Sequence, residues 1–367
     1  MVTPTRCALA GCTGGAYHRP MSTLPPCPST LTDAGGAPRY GTWEGGLEVV
    51  RFDDLKGAYA PGRLERLTTH KKWLYAFVAT KEVATFFAVV DVNYSSNAFA
   101  MAVDLGTNRV LADATFMGPP RPLVKVSDHP GPGLDVAFRH PLAQLTAKRP
   151  FGDERFHVST RIGLPVGGRS LEADWSLLAA GAAPALTVIA PVDGGIVNVT
   201  QKWAGLLGFG RLRAGGKSFN LDGAVGGLDS TFGLLARHTA WRWAFACGRL
   251  DDGTPIGINL VEGFNESRDD VNENSVWLGR ELIPVGRARF TWNKADVLER
   301  WSVHTTDGAL ELEFKPIAVH QEHRDLKLVV SRFSQPIGRW SGVLRHQGRE
   351  YRLTDLPGVA EDQDVRW

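Results

Sequence analysis

The chain has 367 residues, and its 41 lysines and arginines stand against 39 aspartates and glutamates, for a net charge of +2. So even a balance leaves no basic footprint for nucleic acid or an anionic membrane, and no apolar run approaches the ~20 residues of a membrane-spanning helix. The length points to two domains, and the composition to a soluble protein.

Residues 1–35 are rich in Pro, Gly and Thr and are expected to be a flexible leader. They hold Cys7, Cys12 and Cys27, three of only four cysteines, with no zinc or disulfide spacing, which fits a reducing, cytoplasmic setting. Leu9-Ala-Gly-Cys12 imitates a lipoprotein cleavage site, but the apolar stretch before it is too short for a signal core. Met21 is an alternative start.

Beyond the leader, short segments rich in Val, Phe, Trp and Thr recur between Gly and Asp-Gly punctuation, beginning with KKWLYAFVAT, VATFFAVVDVNY and AFAMAVDL. RFHVSTRI, SLEADWSLL and TVIAPV follow, and the series resumes with VNVTQKWAGLLGFGRL, WRWAFACGRL and PIGINLVEGF. ALELEFKPI, LKLVVSRFSQPIGRWSGVL and REYRLTDL complete it. Only 54–67 and 141–149 read as short helical pieces. The pattern is all-β, and antiparallel strands in this number need stacked or closed sheets to hide their edges. Small residues and Pro around Val188–Val192 mark a break, placing β domains at 36–195 and 196–367.

The stretch HTAWRWAFACGRLDDG sets Trp241, Trp243, Phe245 and Cys247 on one face of a strand and Arg242, Ala244 and Ala246 on the other. Such a wall either packs a core or lines a cavity in which indole N–H groups orient a guest. Carboxylates cluster nearby at Asp229, Glu262 and Glu273. In an apolar cavity a carboxyl keeps its proton and can act as an acid; on a turn or in an ion pair it is structural.

Other motifs are weaker. Residues 270–281 approach a calcium loop through Asp270, Asn272, Asn274 and Glu281, but Ser275 replaces the required glycine. His320 and His323 lack a third metal ligand and read as surface. Neither a dinucleotide fingerprint nor a nucleophile elbow is present.

The run KWAGLLGFGRL … GLDSTFG … HTAWRWAFACGRLDDGTPIGINLVEGF … NENSVWLGRELIPV … FSQPIGRWSGVL resembles the DUF2804 family, from about residue 22 to the C-terminus. That family is in turn similar to the AttH and carotenoid hydratase group. The shared features are Asp229, Gly233, Trp241, Trp243 and the Asp252-Gly253 turn, although Ser230 and Thr231 stand where those relatives often carry an aromatic. The resemblance implies two lipocalin-like (calycin) β-barrel or sandwich domains in tandem. It also implies Asp229 as a cofactor-free acid toward a carbon–carbon double bond, with Trp241 and Trp243 stabilising positive charge.

The expected function is binding of a hydrophobic small molecule, a lipid, isoprenoid or polyene, in a barrel cavity, with hydration, isomerisation or cyclisation by acid catalysis. A non-catalytic carrier or a structural protein is the alternative. Asp229 and Glu262 are the candidate acids, and Trp203, His238, Trp241, Trp243, Phe245 and Asn259 the candidate ligand contacts. Neither a metal nor a cofactor is expected.

Overall fold

The computed structural model describes residues 24–163, 170–325, 327 and 330–367. Alternating aromatic and β-branched residues form strands almost throughout, as a pleated, half-buried surface favours. Among the described residues the one α-helix is Arg63–Thr69, overlapping the first predicted helical piece; the Gly62 backbone N–H donates to Glu65 Oε2 (3.1 Å). The second predicted piece is instead a strand, Ala143–Arg149. Ala143, Leu145 and Ala147 fall at period two there and are all buried, so the sheet pattern wins over helix propensity.

The all-β expectation is borne out as two curled antiparallel half-barrel sheets. The first runs through Arg109–Gly118, Ser96–Asp104, Val83–Asp91, His70–Ala79, Ala224–Leu234 and Val197–Ala214. It continues through Leu171–Leu178, Arg155–Ile162, Ala143–Arg149, Leu134–His140 and Val124–Val126. The second runs through Glu281–Pro284, Ser275–Leu278, Pro255–Glu262, His238–Arg249 and Arg349–Arg366. Val330–His346, Leu310–Asp325, Trp301–Thr305 and Ala288–Thr291 complete it. The chain changes sheet between Leu234 and His238, beyond the compositional break near 195.

Cys7, Cys12, the lipoprotein-like tetrapeptide and Met21 lie outside the described residues. Residues 24–35 of the expected flexible leader are fastened to the first sheet: the Cys27 N–H donates to the Glu44 carbonyl (2.7 Å), and Leu31 is buried.

Three apolar layers result. Leu74, Val78, Phe87, Phe138, Phe156 and Trp175 fill the first half-barrel. Ile258, Val276, Trp301, Phe314, Trp340 and Leu353 fill the second. A third layer, with Tyr75, Phe77, Phe86, Trp243, Phe245 and Trp277, lies between the sheets. The strand His238–Arg249 separates its faces as period two requires: Trp241, Trp243, Phe245 and Cys247 face the layer between the sheets, while Ala244 and Ala246 face the interior of the second half-barrel. An Asp-Gly turn ends it, where Asp252 Oδ1 accepts the Thr254 N–H (2.9 Å) and Gly253 sits at φ +86°, a conformation open to glycine without steric cost.

The sheets meet at a backbone contact. The strand Val197–Ala214 slips register between Trp203 and Leu206, with Gly205 at φ +71°. A Cβ on Gly257 would lie 2.4 Å from Ala204 Cβ and 2.5 Å from Gly205 N, so only glycine permits this approach. Six residues along the strand from Cys247, the register partner of Gly257, Trp241 borders an open space.

Candidate functional site

That space is a cavity of about 330 Å³ between the two sheets, within the size range of small-molecule sites. The first sheet lines it with Trp73, Tyr75, Phe99, Thr200, Lys202 and Asp229; the second with Trp241, Trp243, Val261, Phe333, Glu361 and Gln363. The space lies between the two half-barrel sheets rather than within either one. Each half-barrel interior is packed with side chains, and the space remains where two convex faces oppose one another.

Strand parity decides which candidates reach it. Asp229, Trp241 and Trp243 line the wall. Phe245 is fully buried deeper in the same layer, stacked on Trp243 at 5.4 Å. Asn259 stands behind Trp243, accepting its indole N–H (2.7 Å) and donating to the Glu273 carbonyl (2.7 Å), so it orients the ring rather than a guest. Glu262, Trp203 and His238 do not line the cavity. Glu262 points away from it, since its neighbour Val261 takes the inward position, and lies against Arg242 (3.6 Å) and Arg289 (3.8 Å). Trp203 likewise takes the parity opposite to Lys202 and packs on Phe156 (5.6 Å). His238 is exposed and paired with Asp364 (2.9 Å).

Two polar groups interrupt the aromatic wall. In the first, Asp229 Oδ2 receives Lys202 Nζ at 2.6 Å, and its Oδ1 receives the Thr200 hydroxyl at 3.0 Å with the Thr231 hydroxyl at 3.1 Å. Lys202 also lies 3.5 Å from Glu273 Oε2, whose other oxygen accepts from Asn265 Nδ2 (3.3 Å). Burial works against the Lys202 ammonium, but Asp229 and Glu273 outweigh it and hold its pKa above the usual lysine value. Burial raises that of Glu273, with Lys202 opposing. The motif aspartate is thus the partner of an ammonium.

The second group is one that sequence reasoning missed. Glu361 accepts the Trp241 indole N–H at 2.6 Å and Gln335 Nε2 at 2.6 Å, while the Tyr75 hydroxyl approaches Gln335 Oε1 at 3.4 Å. Among the described residues no cation lies within ion-pairing distance of Glu361. Burial pushes its pKa up to about 7, against the lowering effect of the Trp241 and Gln335 hydrogen bonds, while Asp229 adds to the rise and Lys202 opposes it. A carboxyl so placed exchanges a proton near neutrality. On the cavity wall Trp73 of the first sheet stacks on Trp241 of the second, centroids 6.0 Å apart at 9°, and Phe264 meets Trp241 at 5.5 Å.

His320, read as surface in the sequence, is buried at the rim. It bridges Asp113 of the first sheet (2.6 Å) and Glu322 of the second (3.3 Å) and stacks on Phe99 at 4.7 Å. Burial depresses its pKa, but hydrogen bonds to both carboxylates more than offset this and raise it to about 9. His323 is exposed. In the calcium-like segment Asp270 pairs with Arg268 (2.5 Å), and Asn272 donates to the Val285 carbonyl (2.6 Å), so those side chains are engaged locally. Among the described residues no three His, Cys, Asp or Glu are grouped to hold a metal, and no helix is long and apolar enough to cross a membrane.

The fold is similar to that of kievitone hydratase from Nectria haematococca, with a TM-score of 0.50 at 12% identity over 91% of this chain and 98% of that one. An AttH protein of Nitrosomonas europaea gives 0.49 at 12% identity over 84% and 96%. CghA, in its structure with Sch210972, gives 0.48 at 12% over 90% and 99%. No curated protein matches the sequence. The family model described as "Domain of unknown function (DUF2804)" matches residues 27–367.

Proposed function

The chain belongs to the DUF2804 family, and on that premise we propose that the cavity between its sheets binds a hydrophobic, unsaturated small molecule and transfers a proton to it from Glu361 without a cofactor. The observation that carries this is Glu361 itself. It is a buried carboxyl on an aromatic wall, oriented by Trp241 and Gln335 and without a counter-cation. Each of its oxygens accepts one hydrogen bond and keeps a lone pair. Protonation of a double bond creates positive charge on carbon, which the faces of Trp73, Trp241 and Trp243 stabilise. Trapping that cation by water is hydration, loss of another proton is isomerisation, and attack by a second double bond is cyclisation.

The role assigned to Asp229 by resemblance moves to Glu361 in this reading. Asp229 is then the ion-pair partner of Lys202, and on Glu361 the two act in opposite directions, with burial the main cause of its raised pKa. The similarity in fold to a hydratase supports a small-molecule barrel protein and does not choose the reaction. Incubation in D₂O with a panel of aryl alkenes, trisubstituted alkenes and linear polyenes, read by mass spectrometry, tests the proposal. A substrate gains deuterium at carbon with the native protein and not with Glu361→Gln. Undiminished incorporation by Glu361→Gln refutes the assignment. A carrier is the second reading, favoured by the ion pairing of the motif aspartate. It predicts an apolar molecule seen bound in native mass spectrometry that returns without deuterium.

A further inference from the structure

Charge inside the cavity is not balanced. Asp229 and Glu273 share a single ammonium, that of Lys202, at 2.6 and 3.5 Å, and Glu361 has hydrogen-bond donors but no cation. Among the described residues the other cation on the wall, Arg324, is occupied by Glu322 at 2.6 Å. Glu322 and Asp113 are matched in turn by Arg324 and His320, so the rim cluster contributes no spare positive charge. The aromatic faces present the negative side of their quadrupoles.

An anion entering this space leaves water for surplus carboxylate, and among the described residues that line it the two cations are both ion-paired. The Lys71 ammonium, over the rings of Tyr94 (4.4 Å) and Trp367 (5.6 Å), donates to the Thr68 carbonyl (2.6 Å), so the transfer costs heavily. A cation finds a carboxylate and ring faces together. Building on the ligand-binding reading above, we infer that the cavity admits apolar molecules that are neutral or cationic and excludes the matching anions, so that an apolar amine binds as its ammonium beside Glu361 and Trp241. Fatty acids and other carboxylate lipids then fall outside the ligand range, and apolar alcohols, alkenes and amines within it.

Titration calorimetry of the full chain with 2-naphthylmethylamine, 2-naphthylmethanol and 2-naphthoate tests this, at about pH 8 where the amine and acid are largely charged. The ring system is constant, and only the charge changes. The amine is expected to bind at least ~tenfold more tightly than the acid, with the alcohol between them. Glu361→Gln narrows the amine-to-acid ratio by roughly threefold or more. Acid binding as tight as that of the amine, or a ratio unmoved in Glu361→Gln, overturns the charge inference while the alcohol still vouches for the cavity. Failure of all three to bind overturns the ligand-binding reading as well.

Discussion

Replacing Glu361 by glutamine keeps the shape of the side chain and removes its ionisation, so its effect on stability must depend on pH. The wild-type carboxyl has a pKa of about 7 when folded against an ordinary value of 4.5. Below 4.5 both states are protonated, and the group contributes nothing to the pH dependence. As pH rises from there toward 7 the unfolded chain releases its proton first, and the folded state loses stability until both are ionised. A shift of that size corresponds to about 3 kcal/mol. The substituted amide has no such loss, but it leaves one donor, Trp241 Nε1 or Gln335 Nε2, poorly matched, which costs about 1 kcal/mol at every pH. The variant is therefore slightly less stable than wild type near pH 4.5 and about 2 kcal/mol more stable near pH 8. Urea unfolding of both proteins across this range checks it, with contributions from Glu273 and His320 common to the pair. Parallel stability curves would refute the burial argument for Glu361.

Other perturbations give equally direct outcomes. Lys202→Met strands Asp229 and Glu273 in the protein interior and should cost about 3–5 kcal/mol, much of it recovered when Asp229→Asn is added; denaturant midpoints measure both. Gly257→Ala forces a Cβ to within 2.4 Å of Ala204 and should destabilise by about 1–3 kcal/mol in thermal melts. His320→Gln removes a histidine whose pKa is raised to about 9. Its contribution is fully present below the unfolded value of 6.5 and lost as pH rises through 9, so the variant should lag wild type most in acid and converge with it in alkali.

Much of the architecture was legible because alternation is a local signal. The face carrying Trp241, Trp243, Phe245 and Cys247 could be read from one strand, and so could the Asp-Gly turn after it. Applying the same parity to Val261–Glu262 and Lys202–Trp203 would have turned Glu262 and Trp203 away from the cavity. Glu361 was hidden for a different reason. It sits in AEDQDVRW, where acidic residues occupy both faces and the run resembles a solvated tail rather than the end of the long strand Arg349–Arg366. Its burial depends on Tyr75, Gln335 and Trp241 arriving from distant segments. That convergence is a property of how the two convex faces oppose each other, and no single window of sequence contains it.

The separation of the three apolar layers has an implication for how such a chain can change. Each curved sheet is secured by an interior that the guest never touches, so residues around the guest answer mainly to its shape and charge. Exchanges at Tyr75, Phe99 or Phe333 then reshape the layer between the sheets, at the cost of any buried substitution, and leave the two half-barrel interiors as they are. Descendants of one ancestor can then drift among ligands, or between chemistry and mere storage, while their backbones stay alike.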